Sequence, residues 1–277
     1  MNIVVSINTN YVKPLCVMLR SLLDQNPDTE FTVYVIHSSL TQEHFDYIKQ
    51  IVGKGNFYLQ EIGVPADFMS DAPVLFHFTK EMYYRIFCAK LLPLEAEKAL
   101  YLDPDMVIIN PIHSLYDIDM GKNYFAAAQA VNSVTQMEFK KRLNMPEDSN
   151  YFNSGVLLMN LKELRRTQDL QKPLEFIRRM GEKLYLPDQD VLNALYYDKT
   201  ILLDPLIYNY DARYYNAMRV RSLGKVDMAW IKKNTVIVHF CGKSKPWNEV
   251  YLGELGIFYR EVAGKLFPKT EKKPPLD

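Results

Sequence analysis

The first sixty residues alternate between short runs rich in β-branched residues and longer segments with apolar residues at helical spacing. The runs predict strands and the segments predict helices. The strands are expected at 2–7, 31–37 and 56–62, and the helices at 11–26 and 41–52. Strands that alternate with helices pair in parallel through right-handed crossovers. The predicted fold class is therefore α/β, with a Rossmann-like, mostly parallel central sheet and helices on both faces.

The turn after the first predicted strand reads Asn8-Thr9-Asn10 and lacks a Gly-x-Gly-x-x-Gly pattern. Dinucleotide-binding folds hold the pyrophosphate with those glycines, so a dinucleotide cofactor in the usual geometry is not expected. The turn nevertheless lies beyond the carboxyl end of a strand, where open α/β sheets bind ligands. Asparagine amides both donate and accept hydrogen bonds, which suits the edge of a nucleobase. A plain turn that caps the next helix is the alternative interpretation.

An acidic pair interrupts a strongly apolar stretch in the middle of the chain. Residues 99–110 read Ala-Leu-Tyr-Leu-Asp-Pro-Asp-Met-Val-Ile-Ile-Asn, and the acids are Asp103 and Asp105. A buried carboxylate needs a compensating charge. Residues i and i+2 of an extended chain point to the same side, and Pro104 favours an extended conformation at Asp103. Both carboxylates can then reach one divalent cation; an ordinary acidic turn at a strand end is the alternative.

Composition and sequence pattern argue against several classes of protein. The 277 residues contain 33 Lys plus Arg and 33 Asp plus Glu, whereas a nucleic-acid-binding protein is usually basic. No apolar run approaches the roughly 18 residues of a membrane-spanning helix, and residues 1–7 do not resemble a signal peptide. The three cysteines are an odd number without close spacing, which suits a reducing compartment. We therefore expect a cytoplasmic protein with no nucleic-acid partner and no transmembrane segment.

The rest of the chain continues as a mixture of helices and strands. Helices are predicted at 78–92, 133–143, 161–184 and from Pro187, and strands at 99–102, 106–109, 124–128, 156–159, 201–203 and 235–240. Pro173 is expected to interrupt the helix at 161–184. Asn153-Ser154-Gly155 is expected to form a tight turn before the strand at 156–159. The tyrosine-rich segment 207–216 is expected at the surface, and the charged tail at 269–277 is expected to fray.

Several polar residues in apolar or turn-forming surroundings are further candidates. Arg85 lies among aromatic residues and needs a fixed anionic partner, either an active-site carboxylate or a structural salt bridge. Asp188 and Asp190 are explained by a helix start, where acids are favoured by the helix dipole, but Gln189 is explained less well. His239 ends a predicted strand and precedes a glycine turn with two lysines. That corner suits an ion and a phosphate; a structural histidine is the alternative.

Six motifs in this order resemble those of one known family. They are Asn8-Thr9-Asn10-Tyr11, Tyr84-Arg85, Tyr101-Leu102-Asp103-Pro104-Asp105, Phe152-Asn153-Ser154-Gly155-Val156, Asp188-Gln189-Asp190 and His239-Phe240-Cys241-Gly242-Lys243-Ser244-Lys245-Pro246-Trp247. The chain thereby resembles the family 8 glycosyltransferases, which include bacterial lipopolysaccharide galactosyl- and glucosyltransferases and glycogenin. Each motif alone is weak or moderate, but their shared order over 2–247 is specific.

The resemblance implies a GT-A fold formed by one glycosyltransferase domain over 1–277. Within it, 1–110 would bind the nucleotide, 111–250 would bind the donor sugar and the acceptor, and 251–277 would form a C-terminal helix and tail. The implied activity is retaining transfer of a hexose from UDP-glucose or UDP-galactose to a carbohydrate acceptor, in cell-surface glycan or lipopolysaccharide synthesis. The implied cofactor is Mn²⁺, with Mg²⁺ as the alternative. A non-catalytic sugar-nucleotide-binding protein and a donor-cleaving phosphohydrolase are the competing functions.

The same resemblance assigns roles to individual residues. The metal ligands would be Asp103, Asp105 and His239, and Asp103 would also face the donor. The diphosphate would be held by Gly242 and Lys245, and uridine would be contacted by Asn8, Asn10 and Tyr11. The donor sugar would be lined by Arg85, Asn153, Asp188 and Gln189. Retention needs either a protein nucleophile or attack from the side of the leaving group. The catalytic candidates are Gln189, Asp188 and Asp190. We expect front-face attack, with a donor phosphate oxygen taking the acceptor proton and the amide oxygen of Gln189 stabilising positive charge on the sugar.

The chain departs from the family pattern in two places. Close relatives often have aspartate where this chain has Asn8. An asparagine oxygen still accepts from uracil N3–H, with weaker charge assistance. Some relatives also carry a long basic C-terminal segment for membrane attachment, whereas the tail here has mixed charge. Peripheral contact with the inner face of the membrane is therefore the alternative to a purely cytoplasmic location.

Overall fold

The computed structural model of the protein describes residues 1–65, 68, 80–130 and 133–268. The strands are β1 Asn2–Ser6, β2 Phe31–His37, β3 Phe57–Gly63, β4 Lys98–Leu102, β5 Met106–Ile108, β6 Phe125–Gln129, β7 Phe152–Asn160, β8 Thr200–Leu203, β9 Tyr210–Asp211 and β10 Ile237–His239. The helices are α1 Val12–Gln25, α2 Gln42–Val52, α3 Cys88–Leu91, α4 His113–Tyr116, α5 Ser133–Leu143, α6 Leu161–Thr167, α7 Gln171–Met180, α8 Pro187–Tyr196, α9 Pro205–Tyr208, α10 Tyr215–Arg221, α11 Met228–Asn234 and α12 Gly256–Leu266. Short 3-10 helices cover Thr9–Tyr11, Lys80–Phe87, Gly181–Lys183, Tyr197–Lys199 and Ala212–Tyr214.

Seven of these strands form one sheet in the order β3-β2-β1-β4-β7-β6-β8. β1 pairs in parallel with β2 and β4, and β2 pairs in parallel with β3. β7 runs antiparallel to both of its neighbours, and β8 is parallel to β6. Six of the seven strands therefore share one direction. This confirms the predicted α/β class with a mostly parallel sheet.

Helices cover both faces of this sheet, as predicted. Alternate residues of a strand point to opposite faces. In β1, Ile3 and Val5 belong to the apolar cluster that α1 and α2 cover. Val4 belongs to a second cluster, which includes residues of α3, α6, α7 and α8. The near-continuous apolar sequence of β1 follows from burial on both sides.

A second, three-stranded sheet has the order β5-β10-β9. β10 pairs antiparallel with β5, where His239 lies opposite Met106, and parallel with β9, where His239 lies opposite Asp211. β4 ends at Leu102 and β5 begins at Met106. The acidic pair therefore lies on the link between the two sheets.

β7 begins earlier than predicted. The expected turn at 153–155 is the first part of this strand. Its polar residues have partners there: Asn153 and Ser154 hydrogen-bond to side chains of α8, and the carbonyl oxygen of Gly155 accepts from the backbone N–H of Asp103. The turn prediction is wrong because these tertiary contacts override local turn propensity.

The surface prediction for the segment at 207–216 is wrong in part, because four of its ten residues are buried and only two are exposed. Asn209 is 4% exposed, Tyr210 1% and Tyr215 4%. The segment enters the second sheet through β9, and Tyr210 and Tyr215 pack in a third apolar cluster with residues of α11 and α12. A strand of only two residues produces no periodic sequence pattern, so the surface prediction depended on the aromatic and polar composition of the segment alone.

Two predicted helices also differ in detail. The described part of the helix at 78–92 is the 3-10 helix at Lys80–Phe87 followed by α3. The helix at 161–184 is divided into α6 and α7 at 168–170, and Pro173 lies within the first turn of α7. Proline is tolerated there because the first turn has no intrahelical acceptors for its N–H groups. The predicted fraying at 269–277 falls outside the described residues.

Within the described ranges, no helix has both the length and the apolar character needed to cross a membrane. The cytoplasmic location and the division of the chain into three functional parts stay predictions.

Candidate active site

The acidic pair and His239 meet where the two sheets join. Asp103 follows β4 directly, and its backbone N–H donates to the Gly155 carbonyl oxygen of β7 at 2.9 Å. The carbonyl oxygen of Asp105 accepts from the backbone N–H of Phe240 at 3.0 Å. Because His239 is the last residue of β10, backbone pairing brings residues that are distant in sequence into one cluster.

These three side chains form a group that can hold a metal ion. The Nε2 atom of His239 lies 3.3 Å from Oδ1 of Asp105 and 3.8 Å from Oδ2 of Asp103. One ligand atom from each side chain lies within 4.8 Å of the other two. Asp105 and His239 are buried, whereas Asp103 is partly exposed. Two carboxylates with one imidazole are donors that divalent cations such as Mn²⁺ accept.

Two asparagines determine which nitrogen of His239 carries the proton. The Gly155 N–H donates to one side-chain atom of Asn153 at 2.9 Å, and that atom must therefore be oxygen. Asn209 donates its amide nitrogen to the same oxygen at 2.7 Å and so turns its own oxygen toward His239. Nδ1 of His239 lies 2.9 Å from that oxygen and must donate to it. In the neutral imidazole, Nε2 is then unprotonated and faces the carboxylates, as metal binding requires.

Two cations and a third carboxylate surround the group. Nη2 of Arg85 donates to Oδ1 of Asp103 at 2.8 Å, and its Nε lies 3.0 Å from Oδ2 of Asp188. Nζ of Lys245 donates to Oδ2 of Asp105. Three carboxylates thus face two cations, and His239 adds a positive charge only while its imidazole is protonated. Arg85 therefore pairs with carboxylates of the candidate site rather than with a remote structural acid.

The pKa values of two buried carboxyl groups, those of Asp105 and Asp188, shift in opposite directions. Burial alone would raise the pKa of Asp105, but His239 in its protonated form and Lys245 hold that pKa well below its usual range. Burial alone would lower the pKa of His239, but Cys241 and Asp105 raise it well above its usual value. Burial raises the pKa of Asp188, and Arg85 opposes that rise. The ionised form of Asp105 is therefore strongly favoured.

Gly155 leaves the space in which the ligands converge. A Cβ built on Gly155 would lie 2.4 Å from Cε1 of His239 and 2.7 Å from Oδ2 of Asp103. Side-chain carbons do not approach other atoms this closely, so only glycine lets both ligands occupy these positions. The donor set, the tautomer of the neutral histidine and this glycine together fit a divalent cation.

The amide oxygen of Gln189 is turned toward β7. The Ser154 backbone N–H and the amide nitrogen of Asn153 both donate to Oε1 of Gln189 at 3.1 Å. Both lone pairs of that oxygen are thereby used. The expected role of this oxygen in stabilising positive charge on the sugar does not fit this arrangement, and the amide N–H groups of Gln189 are its remaining polar groups.

Asp190 does not join the group, although Asp188 does. Residues two apart on an α-helix point about 200° from each other, so the two carboxylates face different partners. Asp190 is fully buried and accepts four hydrogen bonds, from the Tyr151 hydroxyl at 2.7 Å, Nη2 of Arg142 at 2.9 Å, and the backbone N–H groups of Tyr185 at 2.8 Å and Leu186 at 3.2 Å. This geometry places Asp190 in a structural link between α8 and α5, not among the catalytic candidates.

Asp190→Ala is therefore expected to lower the free energy of unfolding by about 3–5 kcal/mol, because Arg142 keeps a buried charge without its partner. The transfer rate of the folded fraction is expected to change little. Urea unfolding and activity assays on the same preparation measure both quantities. Asp190→Asn, which keeps the shape of the side chain, should be less destabilising. A large loss of transfer rate at unchanged stability would instead place Asp190 in the chemistry.

Two cavities adjoin the metal-binding group. One, of about 340 Å³, is lined by several predicted donor-binding residues, namely Asn8, Asn10, Tyr11, Arg85, Asp103 and Asp105. The other, of about 220 Å³, is lined by residues that include Asn153, Gln189, Asn209, Asp211, Arg213 and Tyr214. Most of the predicted nucleotide and sugar residues thus line one of these two cavities, whereas Asp188, Gly242 and Lys245 line neither.

The turn after β10 carries the other predicted diphosphate contacts. Gly242 has a φ of 85°, a conformation that favours glycine. The turn lets Lys245 fold back, where Nζ donates to the Phe240 carbonyl oxygen at 2.9 Å as well as to Asp105. A lysine and a glycine turn therefore lie beside the metal-binding group, as the sequence predicts.

Asn209 is the residue that sequence reasoning missed. It is buried and connects His239 to Asn153, and through Asn153 to Gly155 and Gln189. Such outer contacts orient a metal-binding imidazole and are part of the site. The sequence contained only a weak indication of this role, because Asn209 is a single asparagine in an aromatic segment, just before a strand of two residues.

Comparison with known proteins identifies the family. The family description "Glycosyl transferase family 8" matches residues 2–250. The chain belongs to glycosyltransferase family 8. This family 8 glycosyltransferase is 30% identical to general stress protein A of Bacillus subtilis over 256 residues, which cover 90% of this chain and 87% of that protein. It is 27% identical to the lipopolysaccharide 1,2-glucosyltransferase of Escherichia coli K12 over 252 residues, which cover 90% and 73% of the two chains.

A solved structure confirms the fold of this family 8 glycosyltransferase. Galactosyltransferase LgtC, crystallised with donor and acceptor sugar analogues, matches it with a TM-score of 0.83 at 25% identity, over 98% of both chains. The predicted GT-A fold and glycosyltransferase function are confirmed. The Asp-Asp-His cluster is consistent with binding of a divalent metal ion.

Proposed function

We propose that this family 8 glycosyltransferase is a retaining enzyme that moves glucose or galactose from a UDP-sugar to a carbohydrate acceptor. The acceptor would belong to cell-surface glycan or lipopolysaccharide synthesis. The observation that carries the proposal is the Asp-Asp-His cluster beside a cavity lined by the predicted uridine contacts. Relatives described as lipopolysaccharide glucosyl- and galactosyltransferases support a hexose donor and a glycan acceptor.

The metal ion would be held by Asp103, Asp105 and His239. One imidazole among oxygen ligands favours Mn²⁺, because Mg²⁺ prefers octahedra of oxygen ligands and water. When bound, the cation would neutralise charge that develops on the leaving diphosphate. Lys245 and the turn at Gly242 would contact the same diphosphate and add a positive charge and backbone donors.

Uridine would occupy the 340 Å³ cavity, which Asn8, Asn10 and Tyr11 line. The base edge would face the amides, and the ribose and diphosphate would extend toward Asp103 and Asp105. The volume of this cavity lies at the lower end of the range typical of small-molecule sites.

The donor sugar would lie between the two cavities, beside Arg85, Asn153, Asp188 and Gln189. The bond from the anomeric carbon to the phosphate oxygen breaks, and the acceptor oxygen bonds to that carbon on the same face. The acceptor proton passes to a phosphate oxygen. Asp188 is 6% exposed and is held by Arg85 and by the Ser154 hydroxyl at 2.9 Å, so it is better placed to orient Arg85 than to attack carbon.

Thermal unfolding with nucleotide sugars tests this proposal. UDP-glucose or UDP-galactose at about 100 times its Kd should stabilise the protein by about 2.7 kcal/mol and raise Tm by about 5 °C or more, because the ligand binds only the folded state. The shift should require Mn²⁺, and ADP-glucose should give little. Release of UDP in the presence of a glycan acceptor then measures transfer. Equal shifts with and without Mn²⁺, or none with any UDP-sugar, would contradict the proposal; binding without transfer to any acceptor would favour a non-catalytic binding protein.

A further inference from the structure

The orientation of Asn8 limits what it can offer to a nucleobase. Its Oδ1 accepts the backbone N–H of Asn10 at 3.0 Å and caps the 3-10 turn at Thr9–Tyr11. A backbone N–H only donates, so oxygen must occupy that position and the amide nitrogen must point the other way. Asn8 is therefore oriented to donate to a carbonyl oxygen of a base, and its own oxygen already has a partner.

A carboxylate shares the cavity with Asn8. Glu81 lines the same 340 Å³ space, together with Asn8 and Asn10. Its backbone carbonyl oxygen accepts from the Ser6 hydroxyl at 2.6 Å, and Oε1 of its side chain accepts from the Ser38 hydroxyl at 2.8 Å. Ser6 ends β1 and Ser38 follows β2. Two neighbouring strands thus fix this residue at the edge of the sheet where the base would lie.

Among the residues that the structure describes, none occupies the second carboxylate oxygen of Glu81. Within the described part of the chain, Oε2 has no hydrogen-bond partner and Glu81 makes no salt bridge. Glu81 is partly exposed, so a ligand reaches it without rearrangement of the core. A carboxylate of this kind accepts strong hydrogen bonds from N–H groups.

We propose that Glu81 selects the nucleobase of the donor by accepting the N3–H of uracil, while the amide nitrogen of Asn8 donates to an adjacent carbonyl oxygen. This rests on the proposed function, because it assumes that a uridine nucleotide occupies this cavity. Uracil presents an N–H between two carbonyl oxygens, which matches an acceptor beside a donor. Cytosine presents an unprotonated N3 at the same place, and its lone pair would face the Glu81 carboxylate.

Calorimetric binding of four nucleotides in the presence of Mn²⁺ tests this role. The nucleotides are UDP, N3-methyl-UDP, CDP and 2′-deoxy-UDP, and the proteins are the wild type, Glu81→Ala and Glu81→Gln. The wild type should prefer UDP to N3-methyl-UDP and to CDP by about 10- to 100-fold, the range expected for a hydrogen bond to a charged group. Glu81→Ala should lose most of this preference, and Glu81→Gln, which keeps an acceptor oxygen without the charge, should lie between.

A control variant, Glu61→Ala, and the ribose analogue 2′-deoxy-UDP distinguish a contact with the base from a contact with the ribose. Glu61→Ala removes a carboxylate that pairs with His37 at a neighbouring strand end, with 53% of its side chain exposed, and should keep the wild-type preference.

If Glu81→Ala keeps the preference for UDP over CDP and N3-methyl-UDP, the proposal is overturned while the proposed function stands. If the variant loses discrimination only against 2′-deoxy-UDP, Glu81 contacts the ribose and the base assignment is wrong. If the wild type binds no UDP with Mn²⁺, the proposed function itself fails. Should Glu81→Ala not fold, the isosteric Glu81→Gln decides.

Discussion

Asp105→Asn is expected to lower the transfer rate by about 10³-fold or more, which corresponds to about 4 kcal/mol of transition-state stabilisation. Asp105 supplies one of the two carboxylates of the metal-binding group and is also the partner of Lys245. Asparagine keeps the size of the side chain and an acceptor oxygen for Lys245 but removes the ligand charge. The folded state should therefore survive, with Tm within about 4 °C of the wild type.

Metal binding and stability measured together make this result specific. Mn²⁺ affinity should fall with the rate, and Asp103→Asn should behave in the same way. Asp24→Asn is the control, because Asp24 is a surface acid paired with Arg20 on α1; it should bind Mn²⁺ and turn over like the wild type. Near-normal transfer by Asp105→Asn would show that the chemistry does not depend on this carboxylate.

Gly155→Ala is expected to be nearly as damaging, although it removes no functional group. The added methyl would overlap Cε1 of His239 and Oδ2 of Asp103, at 2.4 and 2.7 Å. Neither atom moves easily, since Asn209 holds the imidazole and Arg85 holds the carboxylate. We expect a loss of transfer rate of about 100-fold or more and a destabilisation of about 1–3 kcal/mol from overpacking.

Gly63→Ala is the matched control for this substitution. Gly63 also lies in a strand of the central sheet, but a Cβ built there has no atom within 4 Å. This variant should retain wild-type activity and Mn²⁺ affinity. Full activity in Gly155→Ala would mean that the ligands do not need the positions seen here, and that the tight arrangement around Gly155 has no functional consequence.

The sequence predicts the first half of the sheet well because its elements are long and periodic. β1, β2 and β3 and the helices between them are close to their predicted bounds. The two wrong interpretations concern segments whose structure depends on distant partners. Asn153, Ser154 and Gly155 resemble a turn until α8 and Asp103 are placed beside them. Local propensity carries no information about such contacts.

The candidate site was predictable to a similar degree. Asp103, Asp105 and His239 were identified from an acidic pair in an apolar stretch, a histidine at a strand end and the resemblance to family 8, and the structure brings them together. Sequence alone did not distinguish Asp188 from Asp190, because both fit the first turn of a helix. Only the direction in which each side chain leaves α8 separates the residue beside Arg85 from the one beside Arg142.

The orientation of polar side chains could also not be predicted from the sequence. Asn8 and Gln189 each have an oxygen and a nitrogen to offer, and the choice depends on which atom the backbone N–H groups of Asn10 and Ser154 occupy. In both residues the oxygen is used within the protein. The predicted contacts of these amides with substrate therefore change from acceptors to donors.

Anomalous diffraction at the manganese absorption edge, from crystals grown with Mn²⁺ and UDP, tests the central claim most directly. We predict one strong peak coordinated by Asp103, Asp105 and Nε2 of His239, with ligand distances of about 2.0–2.6 Å. No peak between these side chains, or a peak that His239 does not coordinate, would contradict the account.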